Sequence, residues 1–200
     1  MTLRVALTFD AEHASRPNGE PGASERIIAT LLAHHVQATF FVEGRWATAY
    51  PNVARSILGA GHLIGSHSNS HVRMTRLSAA GLAAEIEEAQ ARIQRVVGAD
   101  PRPWFRCPYG DGADDLSLMA ALSAHGYRHV HWTVAAQDWD DTRGPENIED
   151  DIVEGVMRQG DGAIVLLHTW PASTVQALPS LLDRLSAGGA RFVTVADLPS

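Results

Sequence analysis

The sequence has little of several features that would indicate a specialised class of protein. It contains a single cysteine, Cys107, so the chain cannot form an internal disulfide and its fold must be stable without covalent cross-links. No run of lysine or arginine is present and the formal net charge is −7, which argues against nucleic acid as a partner. No long hydrophobic stretch is present either, so we expect no membrane segment.

The first residues also lack a recognisable targeting signal. Residues 1–9 enter an apolar strand pattern directly, without a charged leader or a small-residue cleavage site. A cytoplasmic location is therefore the default expectation, although an exported protein whose leader had been removed would have the same sequence. The length of 200 residues fits one domain, which we predict to cover residues 1–200.

Short apolar segments alternate with segments of helical periodicity along the whole chain. The clearest helix is predicted over residues 78–98, where Ser78 can cap the start and Gly98 can end the helix. Further helices are predicted over residues 24–34, 52–59, 115–125, 148–159 and 174–187. Strands are predicted at residues 3–9, 38–42, 63–65, 104–106, 128–133, 163–168 and 192–195.

Strands that are separated by helices predict parallel pairing, because parallel strands need long crossover connections. The expected fold class is therefore α/β, a distorted (β/α) barrel with about seven parallel strands and its chemistry at their carboxyl ends. Polar residues occur where this rule expects them, at or just after the ends of predicted strands. They are Asp10, His67, His71, Arg106, Asp138 and His168. This common position favours one active site.

Two histidines and an acidic pair are the strongest metal-binding signal. His67 and His71 are four residues apart, and two imidazoles at this spacing can face one ion from a helical turn or a tight loop. The spacing alone is weak evidence, since the chain has ten histidines. Asp10 and Glu12, two residues apart at a strand end, can join the imidazoles around one metal ion.

Five segments, in order, resemble the polysaccharide deacetylases of carbohydrate esterase family four, also called the nodulation-type deacetylase homology domain. They are Thr8-Phe9-Asp10, His67-Ser68-x-x-His71, Arg106-x-Pro108-Tyr109, Asp138-Trp139 and Leu166-Leu167-His168. The resemblance implies a distorted barrel and a divalent metal ion that serves the hydrolysis of N-acetyl groups. We expect Zn²⁺, with Co²⁺ or another divalent ion as the alternative.

The resemblance also implies a role for each metal ligand. Ala11 stands where the family commonly has a second aspartate, and Glu12 would take over its role as metal ligand together with His67 and His71. Such a mixed nitrogen and oxygen set with open positions is typical of a catalytic zinc site. The alternative interpretation is that Glu12 is a solvated loop acid.

The remaining site residues follow from the same resemblance. Asp10 would be the general base, oriented by Arg106, and His168 the general acid, held protonated by Asp138. The backbone amide of Tyr109 would bind the oxyanion, and Trp139 and Leu166 would enclose the acetyl methyl group. The competing interpretations are a surface ion pair for Arg106 and core packing for Leu166.

We therefore predict a metal-dependent hydrolase that removes N-acetyl groups from carbohydrate containing N-acetylglucosamine, such as chitin oligomers or peptidoglycan. Val72 and Ala135 depart from the family pattern near the groove, which affects substrate fit more than chemistry. One alternative is hydrolysis of a small non-sugar amide. Another is a catalytically weak carbohydrate-binding domain in which Ala11 has spoiled the metal site.

Other candidates have structural interpretations. We expect His62 to serve the fold, His13 to lie in the second layer around the metal, and Cys107 to be a packed thiol. Trp170, two residues after His168, could stack on a sugar ring.

Overall fold

A computed structural model describes residues 3–13 and 20–198 of the chain. Within them, eight strands form one sheet, and every pair is parallel. The strands are β1 (Leu3–Ala11), β2 (Thr39–Val42), β3 (Leu63–Ser66), β4 (Trp104–Phe105), β5 (Arg128–His129), β6 (Val134–Ala135), β7 (Ala163–His168) and β8 (Ala190–Val193). Their order is β5-β4-β3-β2-β1-β7-β6, and β8 pairs with the first half of β1.

Helices connect these strands. They are α1 (Ala23–Ala33), α2 (Gly44–Ala49), α3 (Pro51–Gly59), α4 (Ala79–Val97), α5 (Leu116–Ala124), α6 (Pro145–Gln159) and α7 (Ala172–Ala187). Short 3₁₀ turns lie at Met74–Arg76, Pro108–Gly110 and Val195–Asp197. None of the helices in the described ranges is long and apolar enough to cross a membrane.

The sheet curls into the distorted barrel that the sequence predicts. Its two edge strands, β5 and β6, follow each other in the chain, so residues 130–133 run from one edge to the other. The Val130 N–H donates to the Phe105 carbonyl on one side, and the Thr133 N–H donates to the Ile164 carbonyl on the other. The prediction of a single strand over residues 128–133 is therefore wrong, because this segment pairs with a different neighbour at each end.

Strand β1 shows how the fold orients the site. Val5, Leu7, Phe9 and Ala11 belong to the main hydrophobic core, which includes buried residues of the surrounding helices. Successive side chains of a strand point to opposite faces, so Asp10 has the other orientation and faces the inside of the barrel. The same alternation places Ala11 in the core, away from the cleft.

The predicted helices are found with shifts of at most three residues at their ends. The structure has one further helix that the sequence did not predict. In α4 the Ser78 hydroxyl accepts a bond from the Gly81 N–H at 3.2 Å, and Gly98 ends the helix with a φ of 82°. Helix α2 was missed. It has six residues, begins at Gly44 and has no side-chain cap, so it carries no local start signal.

Candidate active site

The carboxyl ends of the strands surround a cleft of about 430 Å³. Eight of the ten predicted site residues line it, namely Asp10, Glu12, His67, His71, Tyr109, Trp139, Leu166 and His168. The other two, Arg106 and Asp138, are buried and hydrogen-bond to two of the lining residues, Asp10 and His168. All ten residues therefore belong to one connected site.

Glu12 lies at the centre of a group of imidazoles. Its Oε2 is 3.2 Å from His67 Nε2 and also contacts His71 Nε2, while its Oε1 is 2.9 Å from His13 Nε2. Burial raises the pKa of this carboxyl, but its hydrogen bonds to the three histidines outweigh that effect and hold the pKa well below its usual value. Glu12 is thus a buried anion, and its interpretation as a solvated loop acid is wrong.

The donor set suits a cation. His67 Nδ1 lies 2.9 Å from the Arg106 carbonyl oxygen, which can only accept, so Nδ1 carries the hydrogen. In the neutral ring Nε2 is then a lone-pair acceptor, yet it faces the acceptor oxygen Glu12 Oε2. Two acceptors at this distance need a positive charge between them, supplied by a proton or a metal ion. The residues therefore fit a divalent metal, and the bond to the Arg106 carbonyl orients the ring for it.

Burial lowers the pKa of His67, but the carboxylates of Asp10 and Glu12 raise it, with a net increase. The metal-free site therefore favours a proton in the place where a metal ion would lie. Within the described ranges, the group of ligand atoms that lie within 4.8 Å of one another consists of Glu12, His13 and His71. The predicted ligand His67 is not part of this group, although its Nε2 lies 3.2 Å from Glu12 Oε2. His13 is thus closer to the ligand cluster than the second layer in which the sequence placed it.

A tight loop carries the histidine pair. His67 follows β3 directly, and both Ser68 and His71 have left-handed backbone conformations, with φ of 64° and 55°. The Ser68 hydroxyl accepts a bond from the His71 N–H at 3.1 Å. Of the two arrangements that the spacing allowed, the structure has the loop, and the left-handed residues turn both rings toward Glu12.

Glu85 of α4 anchors this loop from outside. Its carboxylate accepts bonds from the backbone N–H groups of Asn69 and Ser70, at 2.9 and 3.0 Å, and from the Ser70 hydroxyl. No sequence pattern indicated this role, because the contact joins residues 15 and 16 positions apart on different elements. Glu85 holds the segment between the two histidines and therefore positions both rings.

Replacing Glu85 by alanine is expected to weaken metal binding about 10- to 100-fold, as is usual for groups that support ligands. The free loop would have to be ordered again each time the metal binds. Competition with a chromogenic chelator measures the dissociation constant. Glu87→Ala is the matched control, since Glu87 is exposed on the same helix and contacts His125 instead. Equal metal affinity in both variants would contradict an anchoring role.

Asp10 and Arg106 form a buried pair inside the barrel. Arg106 Nη1 donates to Asp10 Oδ1 at 2.9 Å and to the Thr8 hydroxyl at 2.8 Å, and the guanidinium is fully buried. The interpretation of Arg106 as a surface ion pair is wrong, because the residue follows β4 at the barrel interior. Asp10 Oδ2 remains on the side of the imidazoles, 3.5 Å from His67 Nε2.

His168 and Asp138 form the second buried pair. Asp138 Oδ1 lies 2.8 Å from His168 Nδ1, and its Oδ2 accepts from the His168 N–H and the Thr174 hydroxyl at 2.8 and 2.6 Å. Burial lowers the pKa of His168, but Asp138 foremost, with Glu12 and Asp10, raises it to about 9. This pKa keeps the imidazole protonated at neutral pH.

Aromatic side chains form the outer part of the cleft. Tyr109 and Trp139 are 55% and 40% exposed, and the Trp139 ring lies edge-on to His168 with 5.3 Å between centroids. Leu166 is buried and lines the cleft, whereas its strand neighbours Val165 and Leu167 belong to the main hydrophobic core. Trp170 is also mostly buried, and its indole N–H donates to Glu12 Oε1 at 3.4 Å.

Two further predictions are confirmed outside the cleft. Cys107 is buried, which raises its pKa to about 12 and makes it an inert thiol. His62 accepts a bond from the Ala38 N–H through Nδ1 at 3.3 Å. The sequence reasoning missed Glu43, a buried acid directly after β2, although the rule of strand ends would have found it.

Comparisons with known proteins agree with this geometry. The family model for polysaccharide deacetylase matches residues 3–130. The peptidoglycan-N-acetylglucosamine deacetylase of Bacillus cereus is 30% identical over 199 residues, which cover 97% of this chain and 67% of that protein. A solved structure of the T48 deacetylase with substrate has a TM-score of 0.82 and 33% identity, and the match covers 98% of this chain and 89% of that one.

A pseudoenzyme of the family is also similar to this chain. The structure of a carbohydrate esterase family four pseudoenzyme from Bacillus anthracis has a TM-score of 0.85 and 28% identity, with coverage of 98% of this chain and 65% of that one. A mutant of this pseudoenzyme has restored enzymatic activity. The fold therefore occurs with and without catalysis, and activity has to be argued from individual residues.

Proposed function

Since the chain belongs to the polysaccharide deacetylase family, we propose that it is a metal-dependent hydrolase that removes N-acetyl groups from carbohydrate containing N-acetylglucosamine. Peptidoglycan fragments are the first expected substrate, because several relatives are peptidoglycan deacetylases. Chitin oligomers are the second. One observation carries the proposal. The buried pair of Asp10 with Arg106 and the buried pair of His168 with Asp138 flank the same histidine-rich cleft.

Glu12, His67 and His71 would hold the divalent ion, for which we expect Zn²⁺, with Co²⁺ as an alternative. When bound, the ion supplies Lewis acidity, which favours ionisation of water and polarises the acetamide carbonyl. The three proposed ligands all follow the carboxyl ends of β1 and β3. Open coordination positions would face the cleft.

Asp10 would act as the general base. Arg106 occupies Oδ1, so Oδ2 is the atom that takes the proton from the attacking water. The fixed carboxylate needs little reorganisation during the reaction. The backbone N–H of Tyr109 would hydrogen-bond the oxyanion that develops on the carbonyl.

His168 would act as the general acid that protonates the departing amine. It is the register partner of Asp10 on the neighbouring strand β7, so acid and base lie side by side at the carboxyl end of the sheet. Asp138 binds Nδ1 and leaves Nε2 to face the cleft as the proton donor. Trp139 and Leu166 would enclose the acetyl methyl group.

Two alternative functions place different demands on the site. Hydrolysis of a small non-sugar amide needs the same ligands and acid–base pairs, but it does not need exposed aromatic rings beside the cleft, which suit the faces of sugar rings. A catalytically weak carbohydrate-binding domain does not need a buried base, its orienting arginine and an acid together. Both observations favour the sugar deacetylase.

The test combines metal analysis of the purified protein with assays of acetate release. The substrates are peptidoglycan fragments, chito-oligosaccharides and small acetamides. We expect one bound divalent ion per chain and acetate release from the sugar substrates. Bound metal with activity on small amides alone would favour the second function. No metal and no acetate would favour the binding domain.

Protonation of His168 gives a test that does not depend on turnover. In Asp138→Asn the loss of the carboxylate charge is expected to lower the pKa of His168 below its value of about 9, so the ring loses its proton at lower pH. NMR titration of the imidazole in metal-free protein measures this change. Asp140→Asn is the control, since Asp140 lies outside the cleft and accepts its bonds from Thr142 instead. An unchanged pKa in Asp138→Asn would refute the assignment of Asp138.

A further inference from the structure

We propose that His13 is a third imidazole ligand of the metal ion, in addition to His67 and His71. The proposal rests on the metal-dependent function proposed above and extends it to a residue outside the motifs that identify the family. Its ring nitrogen Nε2 lies 2.9 Å from Glu12 Oε1. Ligand atoms of Glu12, His13 and His71 all lie within 4.8 Å of one another.

The distances suit one shared ion. In a tetrahedral zinc site with ligand bonds of about 2.0–2.1 Å, neighbouring ligand atoms are about 3.3 Å apart. Glu12 makes contacts near this value through its two oxygens, Oε2 with His67 at 3.2 Å and Oε1 with His13 at 2.9 Å. His67 lies outside the group of ligand atoms within 4.8 Å of one another, so binding of all three imidazoles requires its ring to move toward the ion. The rings of His13 and His71 also meet edge-on, with 4.9 Å between centroids. The two imidazoles therefore approach the carboxylate from adjacent directions.

The backbone at His13 is held in place for this purpose. His13 has a φ of 63°, a left-handed conformation that costs free energy for a residue other than glycine. The N–H of His13 donates to Glu43 Oε2 at 2.9 Å, and Glu43 is itself buried directly after β2. The bond to Glu43 therefore fixes the left-handed backbone at which the His13 ring enters the cleft.

The ring is also oriented by its neighbours. The His13 ring packs edge-on against Trp170 at 6.1 Å, and Trp170 in turn bonds to Glu12. Its side chain remains about one third exposed. A fourth protein ligand at this open end would leave substrate a position only at coordination number five, which catalytic zinc sites can reach.

X-ray absorption spectroscopy of the protein loaded with Zn²⁺ or Co²⁺ tests the proposal, because multiple scattering from imidazole rings counts the histidine ligands. We expect three imidazoles in the unmodified protein and two in His13→Asn. Asparagine is chosen because it tolerates positive φ and its shorter side chain does not reach the ion. The metal dissociation constant should rise by at least the 10- to 100-fold typical of supporting groups.

His34→Gln is the matched control, since His34 also faces a carboxylate, Asp183 at 3.6 Å, but does not line the cleft. It should retain three imidazoles and the original metal affinity. A count of two imidazoles in the unmodified protein would overturn the proposal without any variant. So would an unchanged count in His13→Asn.

The outcome separates this proposal from the proposed function. Two imidazoles together with acetate release would refute the role of His13 and leave the deacetylase intact. Three imidazoles without acetate release on any substrate would support the role of His13 and refute the deacetylase. Failure of the unmodified protein to bind either ion would overturn the ligand role, and the acetate assay with added metal would then decide the function alone.

Discussion

Asp10→Asn is expected to lower kcat for acetate release by about a thousandfold, within the range found for loss of a general base. The asparagine amide keeps the shape of the side chain and can still accept from Arg106, but it cannot take a proton from water. Metal content should stay near that of the unmodified protein, because Glu12 and the histidines are unchanged. Acetate release and metal analysis on the same preparation measure both quantities.

A second class of substrate distinguishes the loss of the general base from the loss of the general acid. Nitrophenolate leaves an aryl acetate without protonation, whereas an amine does not leave an acetamide unless it is protonated. His168→Ala should therefore lose acetamide hydrolysis and keep most aryl ester hydrolysis, while Asp10→Asn loses both. Asp141→Asn, an exposed aspartate outside the cleft, should lose neither. Near-normal acetamide turnover in either cleft variant would disprove its assigned role.

The strand-end rule explains why the site could be predicted from the sequence. Parallel strands bring their carboxyl ends to one edge, so residues distant in sequence, such as Asp10 and His168, had to become neighbours. The two-residue period of β1 then places Asp10 and Glu12 on the same side while Ala11 enters the core. A small apolar residue between the two acids suits this buried position.

Features that depend on distant contacts could not be predicted. The family resemblance predicts that Arg106 orients Asp10, but the local sequence does not show whether a charged residue at the end of β4 lies inside the barrel, where Arg106 is buried against Thr8 and Asp10. The split of residues 128–133 likewise depends on which neighbour each half meets. The contact of Glu85 with the histidine loop leaves no periodic signal at all.

His13 shows most clearly the limit of prediction from local sequence patterns. The sequence placed it near the metal because it follows Glu12, but a strand that continued regularly would turn its side chain away from the cleft. The left-handed backbone at His13, held by Glu43, reverses that direction. A backbone state that is unfavourable locally and stabilised by a remote carboxylate is invisible to local pattern analysis.

Arg106→Met is expected to lower the free energy of unfolding of the metal-free protein by about 3–5 kcal/mol, the usual effect of removing one partner of a buried ion pair. Methionine has a similar length but leaves the Asp10 carboxylate without its guanidinium partner. It also removes the hydrogen bonds to Thr8 and to the Val130 carbonyl, and the contact of the guanidinium with the Phe41 ring at 4.1 Å. Urea denaturation measures the loss.

The control is Arg102→Met, which breaks an exposed pair with Asp100 and should cost less than about 1 kcal/mol. The double variant Asp10→Leu with Arg106→Met removes both buried charges and should be more stable than Arg106→Met alone, since apolar residues often replace a buried pair without loss. Equal losses of unfolding free energy in Arg106→Met and Arg102→Met would mean that the buried ion pair contributes no more stability than the exposed one. A double variant as unstable as the sum of its parts would show that packing, and not an uncompensated charge, causes the loss at Arg106.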